Sequence, residues 1–307
     1  MFNLLMGLLA LTLPHALQEP PVAKQVSETN IRHGVLGLGA DTFVMSGDGK
    51  TIWTYPRNTR DGWMLANGHL LLVITKSAEY PGGGVVEIDR EGKTYFEYKG
   101  TQNEVDTVQP LSKNRILLTE SGAKPRILEM DRSGKILFEL PLQCQSENHH
   151  MQTRMARKIK NGNYLVPHAF DKKVREYSPD GKIVWEVSTP DWPFFAFRKP
   201  NGNTLITCTR GNLVREVDKE GKTVWELTNN DLPGSPIRDA CGANILSNGN
   251  IVVTSYGAGG TGAVKLFEVN AEKKLLWTLY TGRDHGLHEF QILDEEGNPL
   301  KSGRVQK

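Results

Sequence analysis

The phrase VDKEGKTVWEL, Val217 to Leu227, recurs along this chain, and its repetition limits the fold more than any other feature. Upstream copies read YSPDGKIVWEV, MDRSGKILFEL, IDREGKTYFEY and SGDGKTIWTYP; downstream, VNAEKKLLWTL keeps the shape with its glycine replaced. The glycine slots are Gly49, Gly92, Gly134, Gly181, Gly221 and Lys273, spaced 43, 42, 47, 40 and 52 residues apart. Four positions after each slot stands an aromatic residue: Trp53, Phe96, Phe138, Trp185, Trp225 or Trp277. Five positions before it, every copy but the first carries a glutamate: Glu87, Glu129, Glu176, Glu216 and Glu268. Agreement at both offsets makes the repeat real.

Each phrase reads as a β-hairpin, with Asp or Asn and Gly in the turn, where positive φ costs glycine little. The flanking residues, as in LVREV and TVWEL, have strand composition. A second phrase alternates with the first: LANGHLLLV, LSKNRILLT, IKNGNYLVP, KPNGNTLIT and LSNGNIVVT, with a weaker copy, ILDEEGNPL, around Gly297. A unit is then four short strands, A to D, recurring every 40–50 residues, which is the signature of a propeller blade. The chain opens with a C–D hairpin around Gly49 and ends with an A–B hairpin around Gly297. The sequence therefore predicts an all-β, six-bladed β-propeller closed by pairing those two hairpins, with no sheet edge left at the seam. An open β-solenoid leaves the split unit unexplained. The repeated tryptophans are expected as wedges between blades.

Segment boundaries follow. Residues 1–17 hold an apolar run from Leu4 to Leu13 stopped by Pro14, the length of a signal-peptide core and too short to span a bilayer. This predicts export, periplasmic or secreted, then a linker over 18–30 and the propeller over 31–307. The chain of 307 residues has a net charge of +2 and no basic stripe with interleaved aromatics, so nucleic acid is not an expected partner. Three cysteines, Cys144, Cys208 and Cys241, include no Cys-x-x-Cys pair; they read as buried thiols, with a single bridge as the alternative.

The E-x-D-x-x-G-K-x-x-W-E phrase with its N-G-N partner resembles the repeats of secreted PQQ-like propellers, and more closely those of six-bladed proteins related to arylsulfotransferases. The resemblance runs from about Val35 to Leu300. It implies the fold, and for activity a histidine that takes a sulfuryl group from an aryl donor while basic residues hold the sulfate oxygens. His150 or His288 would be the nucleophile, and Arg154 or Arg210 the clamp. Quinoprotein dehydrogenases carry more blades and a vicinal disulfide, so PQQ is not expected here.

In a ring of six blades, the A–B and C–D turns share one face, and the D–A and B–C links share the other. The turn face is monotonous; the link face carries nearly all the irregular segments, among them PLQCQSENHH, STPDWP, SYGAGGTGA and YTGRDHGLHE. Binding is expected there, on loops held by a rigid frame. Strand-A residues near its channel mouth are Glu104 and Asp106, then His150, Gln152 and Arg154. Trp192 and Phe194, Asp239 and Asn244, and finally His288 and Glu289 follow around the ring. Charges in a strand that lines a core must be paired, hydrated or bound to something.

Three readings stand at this stage: a hydrated channel of paired charges; a pocket for a small polar ligand; and catalysis. In the pocket reading the ligand is carbohydrate-like or aromatic, with Trp192, Phe194 and Tyr256 stacking on it. Asp106, Gln152, Arg154, Arg210, Asp239, Asn244 and Glu289 would orient its polar groups. The catalytic reading covers sulfuryl transfer, or a lyase or lactonase reaction on a divalent metal held by His150, His288, Asp106 and Asp239. A protein-binding platform on the flat face is a further alternative.

Overall fold

The structure is a computed structural model that describes residues 23–301 and 305–307, so the leader expected at 1–17 lies outside the described residues. Twenty-four strands form six antiparallel four-stranded blades around a ring. The inner strands A are Thr59–Met64, Glu104–Ser112, Arg157–Lys158, Pro193–Arg198, Ala240–Leu246 and Leu287–Leu293, which number blades 1 to 6 in that order. No helix of the described residues is long and apolar enough to cross a membrane.

Strands such as Leu70–Ile74 and Ile251–Ser255 are buried along their whole length, because each sheet face meets a neighbouring blade. The apolar side chains accordingly divide into clusters at the blade interfaces. Leu71 and Val85 of blade 1 meet Val108 and Leu118 of blade 2, and Val252 and Trp277 of blade 5 meet Val35 and Phe290 of blade 6. Outer strands D alternate between exposed and half-buried residues, as in Thr51–Tyr55, because one side faces solvent.

The repeated residues now have physical jobs. Trp53, Trp185 and Trp225 each donate the indole N–H to a carbonyl in the C–D turn of the next blade, on Arg90, Lys219 and Ala271. The repeated glutamates reach the residue that follows the A–B turn: Glu87 bonds His69, Glu129 pairs with Arg115, and Glu176, Glu216 and Glu268 accept from Asn163, Asn203 and Asn250. The first tie joins neighbouring blades and the second braces the turn of its own blade. In the glycine-less copy, Lys273 itself takes the left-handed backbone, φ +64°.

The ring closes between the two ends of the chain, but the partition differs from the expected two strands from each. Blade 6 takes only strand A from the C-terminal side; Gly34–Gly39, Thr42–Met45 and Thr51–Tyr55 supply the other three. The Gly297 turn forms, with Gly297 N–H bonded to Asp294 O, yet among the described residues the chain beyond it makes a single bridge to blade 6, Leu293 to Pro299. Proline has no N–H for a ladder, and the polar residues around it cannot compete with the buried segment GVLGLG. Two further strands widen blade 5. Lys24–Val26, within the stretch expected as a linker, pairs with its outer edge, and Val305–Gln306 pairs with its inner edge.

Candidate functional site: an aromatic-walled pocket on the link face

Counting back eight positions from Gly297 of blade 6 gives Glu289, which lies deeper in the channel; the same count from the A–B turn glycines of blades 1, 3, 4 and 5, or from Asn114 in blade 2, gives Arg60, Asp106, Arg154, Phe194 and Cys241. The structure brings these last five residues together at the link-face end of the channel. Arg60, Arg154, Phe194 and Cys241 line a cavity of about 290 Å³, completed by His150, His288, Trp192 and Tyr256. Its volume sits at the small end of ligand pockets.

The floor is an ion network. Arg60 pairs with both Glu104 and Asp106, the latter at 2.8 Å. Asp106 also accepts from Ser121 and, at 3.0 Å, from Thr153. Arg154 lies 3.9 Å from Asp106 and spends its guanidinium on two carbonyls, those of Thr153 and His150. Burial opposes ionisation of Glu104, but the His150 hydrogen bond and the Arg60 charge hold its carboxyl down at about 2. Burial, then the Glu104 charge, pushes Asp106 above the ordinary carboxylate range. The two arginines are thus neutralised from below, and the cavity is not a strongly charged well.

His288 forms the wall from blade 6. Its ring stacks on Tyr256 at 4.1 Å between centroids and faces Phe194 at 6.2 Å. Its Nδ1 is sealed from solvent without a hydrogen-bond partner. Burial, then the Arg60 and Arg154 charges, drives its pKa well below the ordinary imidazole value, so the ring is neutral at physiological pH. On the opposite wall, the Arg210 guanidinium lies 3.7 Å over the Trp192 ring. His150 sits on a short turn, His149–Met151, capped by Asn148, with its ring half exposed and Nδ1 3.3 Å from Glu104.

The remaining sequence candidates are placed elsewhere. Gln152 is buried and bonded to Gly122 and Ser146. Asn244 ties blade 5 to blade 6 through Phe290 O and Ile292 N–H. Asp239 adopts a left-handed backbone, φ +50°, its N–H bonded to Asn212. Glu289 lies in a second, deeper layer with Asp61, Arg157 and Lys307, where Lys307 Nζ reaches Gly62 O at 2.6 Å and Asp61 at 3.4 Å. Among the described residues no three His, Cys, Asp or Glu side chains gather as a metal donor set, so His150, His288, Asp106 and Asp239 do not form one. Sequence reasoning missed Arg60 and Cys241, although the eight-residue offset to the turn that places Arg154 places them too.

No protein-family model matches the chain, and no curated protein does. Its fold is similar to that of a Bacteroides caccae protein of unknown function, with a TM-score of 0.75 at 21% identity over 86% of this chain and 99% of that one. It is also similar to a catalytically inactive histidine-to-alanine variant of Staphylococcus aureus virginiamycin B lyase with quinupristin. The TM-score there is 0.53 at 14% identity, over 83% of this chain and 73% of the lyase. A candidate 6-phosphogluconolactonase of Bacteroides fragilis gives 0.54 at 13% identity over 82% of each chain. At these identities the likeness is one of fold.

Proposed function

We propose that the protein binds a small ring-shaped ligand, aromatic or carbohydrate-like, in the link-face pocket. The observation that carries this reading is His288: a neutral imidazole stacked on Tyr256 that lines, with Trp192 and Phe194, a cavity of one-ring size. Trp192 and Phe194 offer flat apolar faces, which suit planar aromatics and the apolar face of a pyranose alike. The export signalled by the Leu4–Leu13 run belongs to the same proposal, placing the site outside the cytoplasm.

Isothermal titration with substituted phenols on one side and methyl pyranosides on the other separates the two ligand classes. One class should saturate a single site, with affinity falling at least tenfold in both His288→Ala and Trp192→Ala. If neither class binds, or the variants bind like the parent, the reading fails.

A second reading, catalysis, has one observation in its favour: a neutral histidine and two guanidiniums share one pocket. His288 would act as proton acceptor or as nucleophile, with Arg154 opposite developing negative charge. Sulfuryl transfer predicts release of 4-nitrophenol from 4-nitrophenyl sulfate only when an acceptor phenol is present, and no release by His288→Ala.

A further inference from the structure

The turn face, monotonous in most blades, breaks its pattern at blades 3 and 4. Four positions before the A–B turn glycine stand Met64, Ile245 and Leu293 in blades 1, 5 and 6, but Lys158 and Arg198 in blades 3 and 4. Lys160 and Lys199 add charge beside them. These side chains surround a cavity of about 940 Å³ between the two blades, on the far side of the ion network from the link-face pocket. Phe197 and Ile159, both half-buried, give it an apolar wall, and Arg157 and Lys307 stand at its inner end. In a repeat array, such a local departure needs a local cause, since the scaffold folds without it in the other blades.

The cations outnumber their partners. Glu129 is shared by Arg115 and Lys158, and Arg157 and Lys307 face Asp61 with Glu289 farther off, 4.0 Å from Arg157. Arg198 and Lys199 each have one carboxylate, Glu176 and Glu216. Lys160, exposed at the rim, forms no ion pair among the described residues. Across the ring the blade 6 turn carries Asp294, Glu295 and Glu296, so the face is electrically polarised, with its positive side at the cavity. A hollow with an apolar wall and a surplus of positive charge at its rim complements a ligand with both features.

We infer that the cavity between blades 3 and 4 is a second binding site, for an amphipathic anion: a carboxylate, sulfonate or phosphate head on an apolar body. The head meets Lys160 and Lys158 at the rim, and the body lies along Phe197 and Ile159. This site is independent of the link-face pocket.

The test uses 8-anilinonaphthalene-1-sulfonate, whose sulfonate and fused rings have this chemistry, with N-phenyl-1-naphthylamine as its uncharged counterpart. The folded protein should bind the sulfonate saturably and at least fivefold more tightly than the amine. Lys160→Glu, an exposed change that leaves no buried charge, should weaken the sulfonate at least fivefold and the amine little. Phe197→Ala should weaken both. Lys219→Glu makes the same charge change in the blade 4 C–D turn, away from the cavity, and should leave both affinities unchanged. Equal affinity for the two compounds, equal effects of Lys160→Glu and Lys219→Glu, or no saturable binding would each overturn the inference.

Discussion

Replacing Glu289 with glutamine tests the electrostatics of the channel directly, because the substitution keeps shape and removes only the capacity to ionise. Glu289 is fully buried and accepts from the Phe290 N–H, while its second oxygen has no hydrogen-bond partner. It sits on blade 6 facing Asp61 of blade 1, Arg157 of blade 3 and Lys307, against Gly242 of blade 5, where any side chain would collide with the carboxylate. Burial pushes its pKa up to about 7, and the Asp61 charge adds to that rise against the pull of Lys307 and Arg157. An acid whose pKa is raised on folding binds more protons folded than unfolded between its two pKa values. Folded stability therefore falls as pH climbs through that window, from the ordinary value of 4.5 to about 7. At about 1.4 kcal/mol per pH unit the full penalty is about 3 kcal/mol, most of which develops between pH 5 and pH 8. Urea unfolding of Glu289→Gln and parent at both pH values isolates this contribution, since other titrating groups are shared. The variant should gain relative to the parent by about 2 kcal/mol on going from pH 5 to pH 8. A relative loss over that interval would mean that Arg157 and Lys307 hold Glu289 ionised, and would refute the account of a carboxyl that prefers its proton.

Three further changes probe the frame and the pocket. Asn244→Ala removes both hydrogen bonds that tie blade 5 to Phe290 and Ile292, and should cost about 2–3 kcal/mol in urea unfolding, because it strands buried backbone groups. Trp53→Phe deletes the indole N–H that reaches Arg90 O across the seam between blades 6 and 1. A loss of about 1 kcal/mol is expected in the same assay, with the ring contact to Tyr55 retained. Gly286→Ala would set a methyl group 1.8 Å from Tyr256 O, forcing two link-face segments apart. It should cost about 1–3 kcal/mol by overpacking, and abolish any ligand affinity that also depends on His288, as read by titration.

The ring was legible because its repeated parts are local. A turn glycine, an aromatic four residues later and a glutamate five residues earlier are fixed by one hairpin and its nearest neighbours. The seam was less legible. GVLGLG carries no turn phrase to mark it as a strand B, while Asp294 to Gly297 imitates a hairpin whose second arm, among the described residues, makes only the bridge at Pro299. The link face was correctly singled out as irregular, but the depth of individual side chains was not readable. Register shifts between Thr59 and Gly62, Pro193 and Phe195, and Ala240 and Ala243 change which residue points inward at a given height. Consecutive residues of one strand consequently serve separate layers: Arg60 lines the pocket, while Asp61 belongs to the deeper network with Arg157.

Blade 3 links these observations. Its strand A is only Arg157–Lys158, because the chain from His149 to Arg154 leaves the sheet to build the pocket lip. One backbone bond there crosses the blade boundary, Met155 N–H to Phe194 O of blade 4, while Arg154 N–H stays with strand B of its own blade, at Pro167 O. The inner edge of blade 3 thereby bonds both its own strand B and, through the Met155–Phe195 bridge, blade 4, and that is the interface that widens into the cavity on the turn face. Longer strands A also carry charges, as Arg60 and Asp61 do in Thr59–Met64, but they do so within a strand paired with its strand B at both ends. The short one places Arg154 at one mouth and Arg157, Lys158 and Lys160 toward the other. One local sacrifice of β-structure thus gives blades 3 and 4 polar groups on both faces of the ring, while the other five interfaces keep the packing that holds it closed.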